Sequence, residues 1–308
     1  MDGIFNINKP LGMTSHDVVT RVRRLTRQKR TGHAGTLDPL ATGVLPICLG
    51  QATRVAEYLS ESGKAYRATL RFGVETDTYD AEGAVVRESP VTFSRAEIEA
   101  YLPRFTGPQM QVPPVFSAIK RNGQAAYKLA RAGADVVLEP RPVIIYALRI
   151  VNWDAPDLVL DIDCGKGTYI RSLAHDLGAV MGTGAHLAAL VRTRSGPFTL
   201  DGALTLEQLE QFLAGGDWRD RIIAPDEALL QVNAVLVGPE NERRIRNGQP
   251  VLWPSGQLVT GPVAESVDLM RAYTTDGRFL AVLRWRQDDL AWMPHKVFAI
   301  EPVEDTAS

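Results

Sequence analysis

Metal-ligand spacing is missing from this sequence. Its five histidines and two cysteines form no CxxC pair and no HExxH run, the spacings that bring imidazole and thiolate donors onto one ion. Cofactor signatures are missing as well. There is no GxGxxG followed by an acidic residue, no GxxxxGK[ST] phosphate loop and no GxSxG elbow, which removes the common dinucleotide, nucleotide and serine-hydrolase readings. Cysteine is scarce: Cys48 and Cys164 allow at most one disulfide, and the default reading is two reduced, buried thiols in a reducing compartment. No apolar stretch approaches the roughly 20 residues of a membrane span. The longest uncharged run, 247–264, is broken by Pro250, Pro254, Pro262 and three glycines. The opening MDGIFNINKP has no basic stretch leading into an apolar one, so a soluble cytoplasmic protein is expected. Low-complexity tracts and fixed-period repeats are also lacking. A cofactor-free, metal-free enzyme or a binding protein remains.

With 308 residues, 45% hydrophobic and 23% charged, the chain has room for two domains and the composition of a globular protein. Its net charge of −2 hides an uneven distribution. Residues 1–50 carry seven Lys/Arg against three Asp/Glu, and six of those basic groups fall within 21–30. Residues 104–149 carry seven Lys/Arg against Asp135 and Glu139. Two basic segments on a slightly acidic chain suit a polyanion seat, although a basic helix face is also ordinary solvated surface.

Local pattern outlines the elements. A helix is expected after Thr14-Ser15, with Asp17 closing a capping box and Val18, Val22 and Leu25 on one face. Further helices are expected at 94–105, 168–180, 204–214 and 240–247, and strands at 66–73, 143–152 and 158–164. Residues 30–50, rich in Gly, Thr and Pro, read as an extended loop region flanking short strands. The basic, proline-containing segment 107–123 has no period and reads as a long functional loop. A linker is expected at 215–231. Beyond it, 232–303 reads as a small β-rich module with turns at Asn247-Gly248, Pro254-Ser255-Gly256 and Asp276-Gly277.

The run Gly32-His33-Ala34-Gly35-Thr36-Leu37-Asp38-Pro39-Leu40-Ala41-Thr42-Gly43 is the best chemical candidate. Three glycines and a proline around one His and one Asp describe a tightly shaped loop that presents two polar groups. On its own terms Asp38 is equally a turn residue capping backbone N–H groups ahead of Pro39, and both readings stay open.

The full set of motifs, however, resembles the TruB-type tRNA pseudouridine-55 synthases over the whole chain. Asn8-Lys9-Pro10-x-Gly12-x-Thr14-Ser15 is similar to that family's N-terminal motif, and 32–43 to its catalytic loop. Lys64-x-Tyr66 with Gly73, Gly167-Thr168-Tyr169-Ile170-Arg171-Ser172-Leu173, and Leu190-x-Arg192-Thr193 with Gly196 follow in order. The resemblance implies an α+β fold: a large mixed β-sheet flanked by helices (1–230), carrying an RNA-clamping insertion at about 107–135, plus a PUA-like RNA-binding module (232–303).

It further implies that Asp38 is the covalent nucleophile on a flipped-out uridine and that Arg171 pairs with it. Tyr66 would stack on the uracil and help move the carbon-5 proton. Tyr169 and Leu190 would wall the pocket, and His33 would fill the space that the flipped base leaves or stabilise the extruded loop. Lys9 and Lys64 would be structural or would contact the RNA backbone, and Lys120, Arg121, Lys128 and Arg131 of the insertion would contact it. The implied partner is the tRNA T-arm, with no cofactor, no metal and no obligate protein partner, acting as a monomer. Two alternatives are a guide-RNA-dependent relative and a non-catalytic tRNA-binding protein. The insertion and the absence of long basic tails argue against the first. The presence of both Asp38 and Arg171 argues against the second.

Overall fold

The computed structural model describes residues 1–117, 119–121, 123–132, 134, 136–252 and 268–299; at Lys120, Arg121, Ala125, Tyr127, Lys128, Arg131 and Asp217 it describes the backbone alone. In chain order the first elements are β1 (Gly3–Lys9), α1 (Ser15–Thr26), β2 (Thr31–His33), β3 (Ala41–Leu49), α2 (Ala56–Glu61) and β4 (Lys64–Phe72). They are followed by β5 (Val74–Thr76), β6 (Val85–Glu88), α3 (Arg95–Tyr101), β7 (Gly107–Gln111), β8 (Lys120–Arg121), β9 (Gln124–Ala125) and α4 (Ala126–Arg131). Next come β10 (Arg141–Asp154), β11 (Asp157–Cys164), α5 (Ile170–Val180), β12 (Ala185–Ser195), β13 (Phe198–Thr199) and α6 (Leu206–Gly215). The chain continues through β14 (Ala234–Val237), α7 (Pro239–Arg246), β15 (Leu269–Thr274), β16 (Phe279–Arg286) and β17 (Ala291–Val297).

A nine-stranded sheet runs in the order β1-β3-β12-β4-β11-β10-β7, with β2 on β3 and β13 on β12. All its pairings are antiparallel except β12 with β3, which is parallel and makes the sheet mixed. Helices α3 and α5 close one part of the core, where Leu70, Phe72, Ile98, Leu160 and Leu173 pack together. Helices α1 and α6 close another, around Phe5, Val18, Val22, Leu45 and Leu209. A separate four-stranded sheet, β14-β15-β16-β17, has its own core around Val235, Ile245, Leu280 and Leu283. The class is therefore α+β, a large mixed sheet with flanking helices plus a small C-terminal β-rich domain. No helix among the described residues is long and apolar enough to cross a membrane.

The capping box forms as expected: the Thr14 hydroxyl accepts from Asp17 N–H, and the Asp17 carboxylate accepts from Thr14 N–H. Three expectations need correction. Residues 41–49 are not loop flanking short strands but one nine-residue strand inside the sheet, between β1 and β12 and almost wholly buried. Burial on both faces removes the alternation that marks a strand in sequence. Residues 107–111 are likewise an edge strand on β10 rather than loop. The expected linker is folded and packed: Ile223 exchanges backbone hydrogen bonds with Ile4, and Ala228 and Leu229 are fully buried. Those two join Cys48, Val55, Phe198, Val282 and Phe298 in a core shared by the large sheet and the C-terminal module. The turn expected at Pro254-Ser255-Gly256 lies outside the described residues, as do parts of 107–135 and of 232–303.

Candidate active site

Asp38 lies in the connection from β2 to β3, and the surrounding chain holds that connection from several sides. The Ser15 hydroxyl, at the first residue of α1, both accepts from Leu37 N–H (2.8 Å) and donates to the Leu37 carbonyl (3.1 Å). Gly12 N–H reaches the Pro39 carbonyl at 2.9 Å, and Lys9 Nζ donates to the carbonyls of Pro10, Met13 and Pro39. From the opposite side, the fully buried Arg192 guanidinium donates to the carbonyls of Val44 (2.7 Å), Gly35 (3.0 Å) and Thr36 (3.4 Å). Gly43, at φ +98°, sits opposite Arg192 in the parallel β3–β12 pairing, where a Cβ would lie 2.3 Å from the Arg192 carbonyl. Only glycine allows that approach. The N-terminal motif and the Arg192 motif thus act as a scaffold for the loop.

Through this scaffold the Asp38 carboxylate, with a side chain 42% exposed, faces Arg171, whose side chain is only 7% exposed. Arg171 Nη2 stands 2.9 Å from Asp38 Oδ2 and donates to the Phe116 carbonyl at 3.0 Å. Its Nη1 reaches Asp80 Oδ2 at 3.2 Å and the Thr78 carbonyl at 3.4 Å. Asp80 is almost fully buried, and its other oxygen accepts from the Thr78 hydroxyl (2.6 Å) and Glu82 N–H (3.1 Å). A planar guanidinium suits this role because its donors leave in fixed directions. The Asp38 carboxylate is left open to solvent while the arginine is held by Asp80 and by the Thr78 and Phe116 carbonyls.

Arg171 reaches this position from the first turn of α5. The N-terminus of that helix is clamped by the supposedly irregular segment: Gln111 exchanges two hydrogen bonds with the Tyr169 backbone (2.8 and 3.1 Å), and the Ser172 hydroxyl donates to the Val112 carbonyl at 2.7 Å. Tyr79, at φ +64°, stacks on His175 one turn further along, with ring centroids 3.9 Å apart.

Of the other residues singled out, Tyr66 on β4 pairs directly with Arg192 on β12 and packs, partly buried, against the core cluster that contains Leu37, Ile170 and Leu190. Burial pushes its phenol upward in pKa, and the Arg192 guanidinium against it pulls the other way. Tyr169 is half-buried at the head of α5, its phenol also pushed up by burial, with Arg171 and Asp38 nearby. Leu190 is 8% exposed, inside β12. His33 ends β2, and burial with the Arg192 charge holds its imidazole below the ordinary range, so it is neutral at pH 7.

Of the two roles expected for Lys9 and Lys64, the structure gives the structural one and not the RNA contact. Lys9 is fully buried on the carbonyls named above, and Lys64 is buried on those of Leu59, Ser60 and Ser62. Burial brings both down to about 8. A phosphate cannot reach either ammonium, so backbone contact with RNA is withdrawn for both. The side chains of Lys120, Arg121, Lys128 and Arg131 lie outside what the structure describes. Among the described residues no group of three or more His, Cys, Asp or Glu is placed to hold a metal. Cys48 and Cys164 are free, buried thiols, pushed up by burial to about 12 and about 11.

Sequence reasoning gave no role to Asp80, Arg192 or Gln111. Asp80 and Gln111 stand in no quoted motif. Arg192 does, but Arg194 follows it two residues later on the same strand, and nothing in the sequence marks which of the two turns inward.

Comparisons with known proteins identify the family. The profile of the TruB family pseudouridylate synthase N-terminal domain matches residues 23–170, and that of the tRNA pseudouridylate synthase B C-terminal domain matches 171–231. The β-module beyond residue 231 falls outside both. The tRNA pseudouridine synthase B of Pseudomonas fluorescens is 43% identical over 284 residues, 92% of this chain and 91% of that protein. Its counterpart in Geobacter sulfurreducens is 45% identical over 251 residues, 81% of this chain and 83% of that protein. Among solved structures, a Cbf5-Nop10-Gar1 complex superposes with a TM-score of 0.76 at 27% identity, covering 96% of this chain and 85% of that one. An H/ACA RNP bound to a substrate RNA containing 2'-deoxyuridine gives 0.75 at 25% identity, covering 97% and 85%. From sequence, fold and relatives together, the chain belongs to the TruB family of pseudouridylate synthases.

Proposed function

We propose that this protein isomerises uridine to pseudouridine at position 55 in the T-loop of tRNA, using Asp38 as a covalent nucleophile and no cofactor. One observation carries the reading: a solvent-open Asp38 carboxylate sits 2.9 Å from a buried arginine that a second, buried carboxylate braces. A nucleophilic carboxylate must be fixed at the reacting atom while staying accessible to it, and this arrangement meets both needs.

In the proposed reaction the target nucleotide leaves its stack, at a cost of a few kcal/mol, and enters between Tyr66 and Tyr169 with Leu190 behind. An Asp38 oxygen bonds to the nucleotide and the N1–C1' glycosidic bond breaks. The uracil turns and carbon 5 bonds to C1', displacing Asp38 if its bond was to the sugar. The carbon-5 proton then leaves with help from Tyr66, N1 takes up a proton, and an Asp38 bond to the base is eliminated in the same step, freeing the product. His33, neutral and close to the loop, takes the space that the base vacates. The 107–135 insertion is proposed to clamp the T-arm through Lys120, Arg121, Lys128 and Arg131. The module at 232–303 is proposed as a PUA-like RNA-binding domain, with residues 1–230 as the catalytic domain.

Purified protein incubated with a tRNA transcript tritiated at uracil carbon 5 should release tritium without any guide RNA. No release despite tight tRNA binding would overturn the enzymatic reading. Release only on addition of a guide would favour the guide-dependent one.

A further inference from the structure

A pocket of about 610 Å³, with no residue of the Asp38 loop on its wall, lies where the C-terminal module meets the segments that flank β2 and β3. Its basic residues come from opposite ends of the chain. Arg30 precedes β2, Arg54 ends the turn after β3, and His295 and Lys296 stand on β17. The one acidic group on its wall is Glu57, which Lys296 Nζ engages at 2.8 Å. Arg54 donates to the Val297 carbonyl. These contacts, with the shared apolar core beneath them, fasten the module to the sheet.

They leave cationic capacity unused. Three Lys/Arg face one carboxylate, a surplus of two positive charges even with His295 neutral. The exposed Arg30 side chain has no hydrogen bond or ion pair among the described residues, although its carbonyl is fixed by Gly50 N–H at 2.8 Å. Beside the pocket, Tyr58 Oη and His295 Nε2 are buried without a hydrogen-bond partner among the described residues, their rings meeting edge to face with centroids 6.4 Å apart. The Glu57 carboxylate stands 3.8 Å from that imidazole nitrogen, beyond hydrogen-bond reach. Buried polar atoms of this kind ordinarily have partners. An open, polar, cationic concavity with two arginine forks fits a phosphate far better than an apolar ligand.

Position narrows the phosphate to one source. The catalytic loop enters β3 at Ala41, and the Arg54 turn leaves β3 after Leu49. Nine strand residues, at about 3.3 Å each, separate the two ends by roughly 30 Å. A ligand held at Asp38 that also presents phosphate at that distance is an extended polyanion. We propose that the Arg30–Arg54–Lys296 pocket seats a backbone phosphate of the tRNA substrate, remote from the flipped nucleotide. The inference rests on tRNA being the substrate.

Arg30 is the residue to change, because it is exposed and supports no fold contact through its side chain. Arg30→Ala and Arg30→Glu would be compared with wild type in binding to full-length tRNA and to an isolated T-arm stem-loop across salt concentrations, with single-turnover rates at saturation. Arg30→Glu should weaken full-length tRNA binding about tenfold, the scale of one lost charge-assisted contact. It should lower the salt slope by roughly one and leave the saturated rate and stem-loop affinity within about twofold. Unchanged affinity and slope for full-length tRNA would overturn the proposal, as would equal weakening of both RNAs. Inorganic phosphate binding lost in Arg30→Glu without any effect on tRNA would overturn it in favour of a free-anion site. A wild type that binds tRNA but releases no tritium would defeat the proposed activity while leaving the binding comparison interpretable.

Discussion

Asp80→Asn removes one charge at nearly constant shape and tests whether Arg171 depends on its buried brace. Both Asp80 oxygens act as acceptors: one toward Arg171, the other toward the Thr78 hydroxyl and Glu82 N–H. Asparagine has a single acceptor oxygen, so whichever way its amide turns, an NH₂ group faces a donor. Removing one member of a buried ion pair costs about 3–5 kcal/mol. The oxygen that asparagine retains, together with the Thr78 and Phe116 carbonyls and Asp38 on Arg171, reduces this toward about 1.5–3 kcal/mol, the scale of one hydrogen bond to a charged group. The catalytic effect should be larger. Released from Asp80, Arg171 can follow Asp38 or drift from it, and a shift near 1 Å costs on the order of 100-fold in rate. Single-turnover tritium release should therefore fall about 100-fold with tRNA affinity little changed, alongside an earlier urea midpoint. A wild-type rate in Asp80→Asn would refute the reasoning, and loss of stability alone would reduce Asp80 to a fold contact.

Lys9→Met and Lys64→Met should lower stability but leave the salt slope of tRNA binding unchanged; a flatter slope would return those lysines to the RNA interface. Neutralising Lys120 and Arg121 together should weaken binding and flatten the slope by roughly one to two, and an unchanged slope would remove the clamp. Arg192→Lys should slow single turnover while preserving tRNA affinity. One ammonium cannot span the three loop carbonyls that the guanidinium reaches, and the loss should cost about 2–3 kcal/mol in urea unfolding. Full activity in that variant would mean that the loop does not need this support.

The legible parts of the fold were those with a local cause. The Thr14/Asp17 capping box and the period of α1 depend on neighbours in sequence, and both formed as expected. β3 was illegible because a strand buried on both faces carries no alternation, and its Thr42-Gly43 stretch reads as loop until β12 lies alongside it. At the site, Asp38 and Arg171 could be named from motifs far apart in the chain, yet nothing local marks Asp80 as the brace or Gln111 as the clamp on α5. Their roles exist only once β12, α5 and the 107–117 segment are brought together. For Lys9 and Lys64 the sequence left a structural role and a phosphate contact side by side, and only the backbone carbonyls that surround both decide for the first.

The central claim is that Asp38 performs the chemistry rather than merely shaping its loop. Asp38→Asn, nearly isosteric and still able to hydrogen-bond Arg171, should abolish tritium release from carbon-5-labelled tRNA while its tRNA affinity stays within a few-fold of wild type, about 1 kcal/mol. Release at the wild-type rate from that variant would contradict the account.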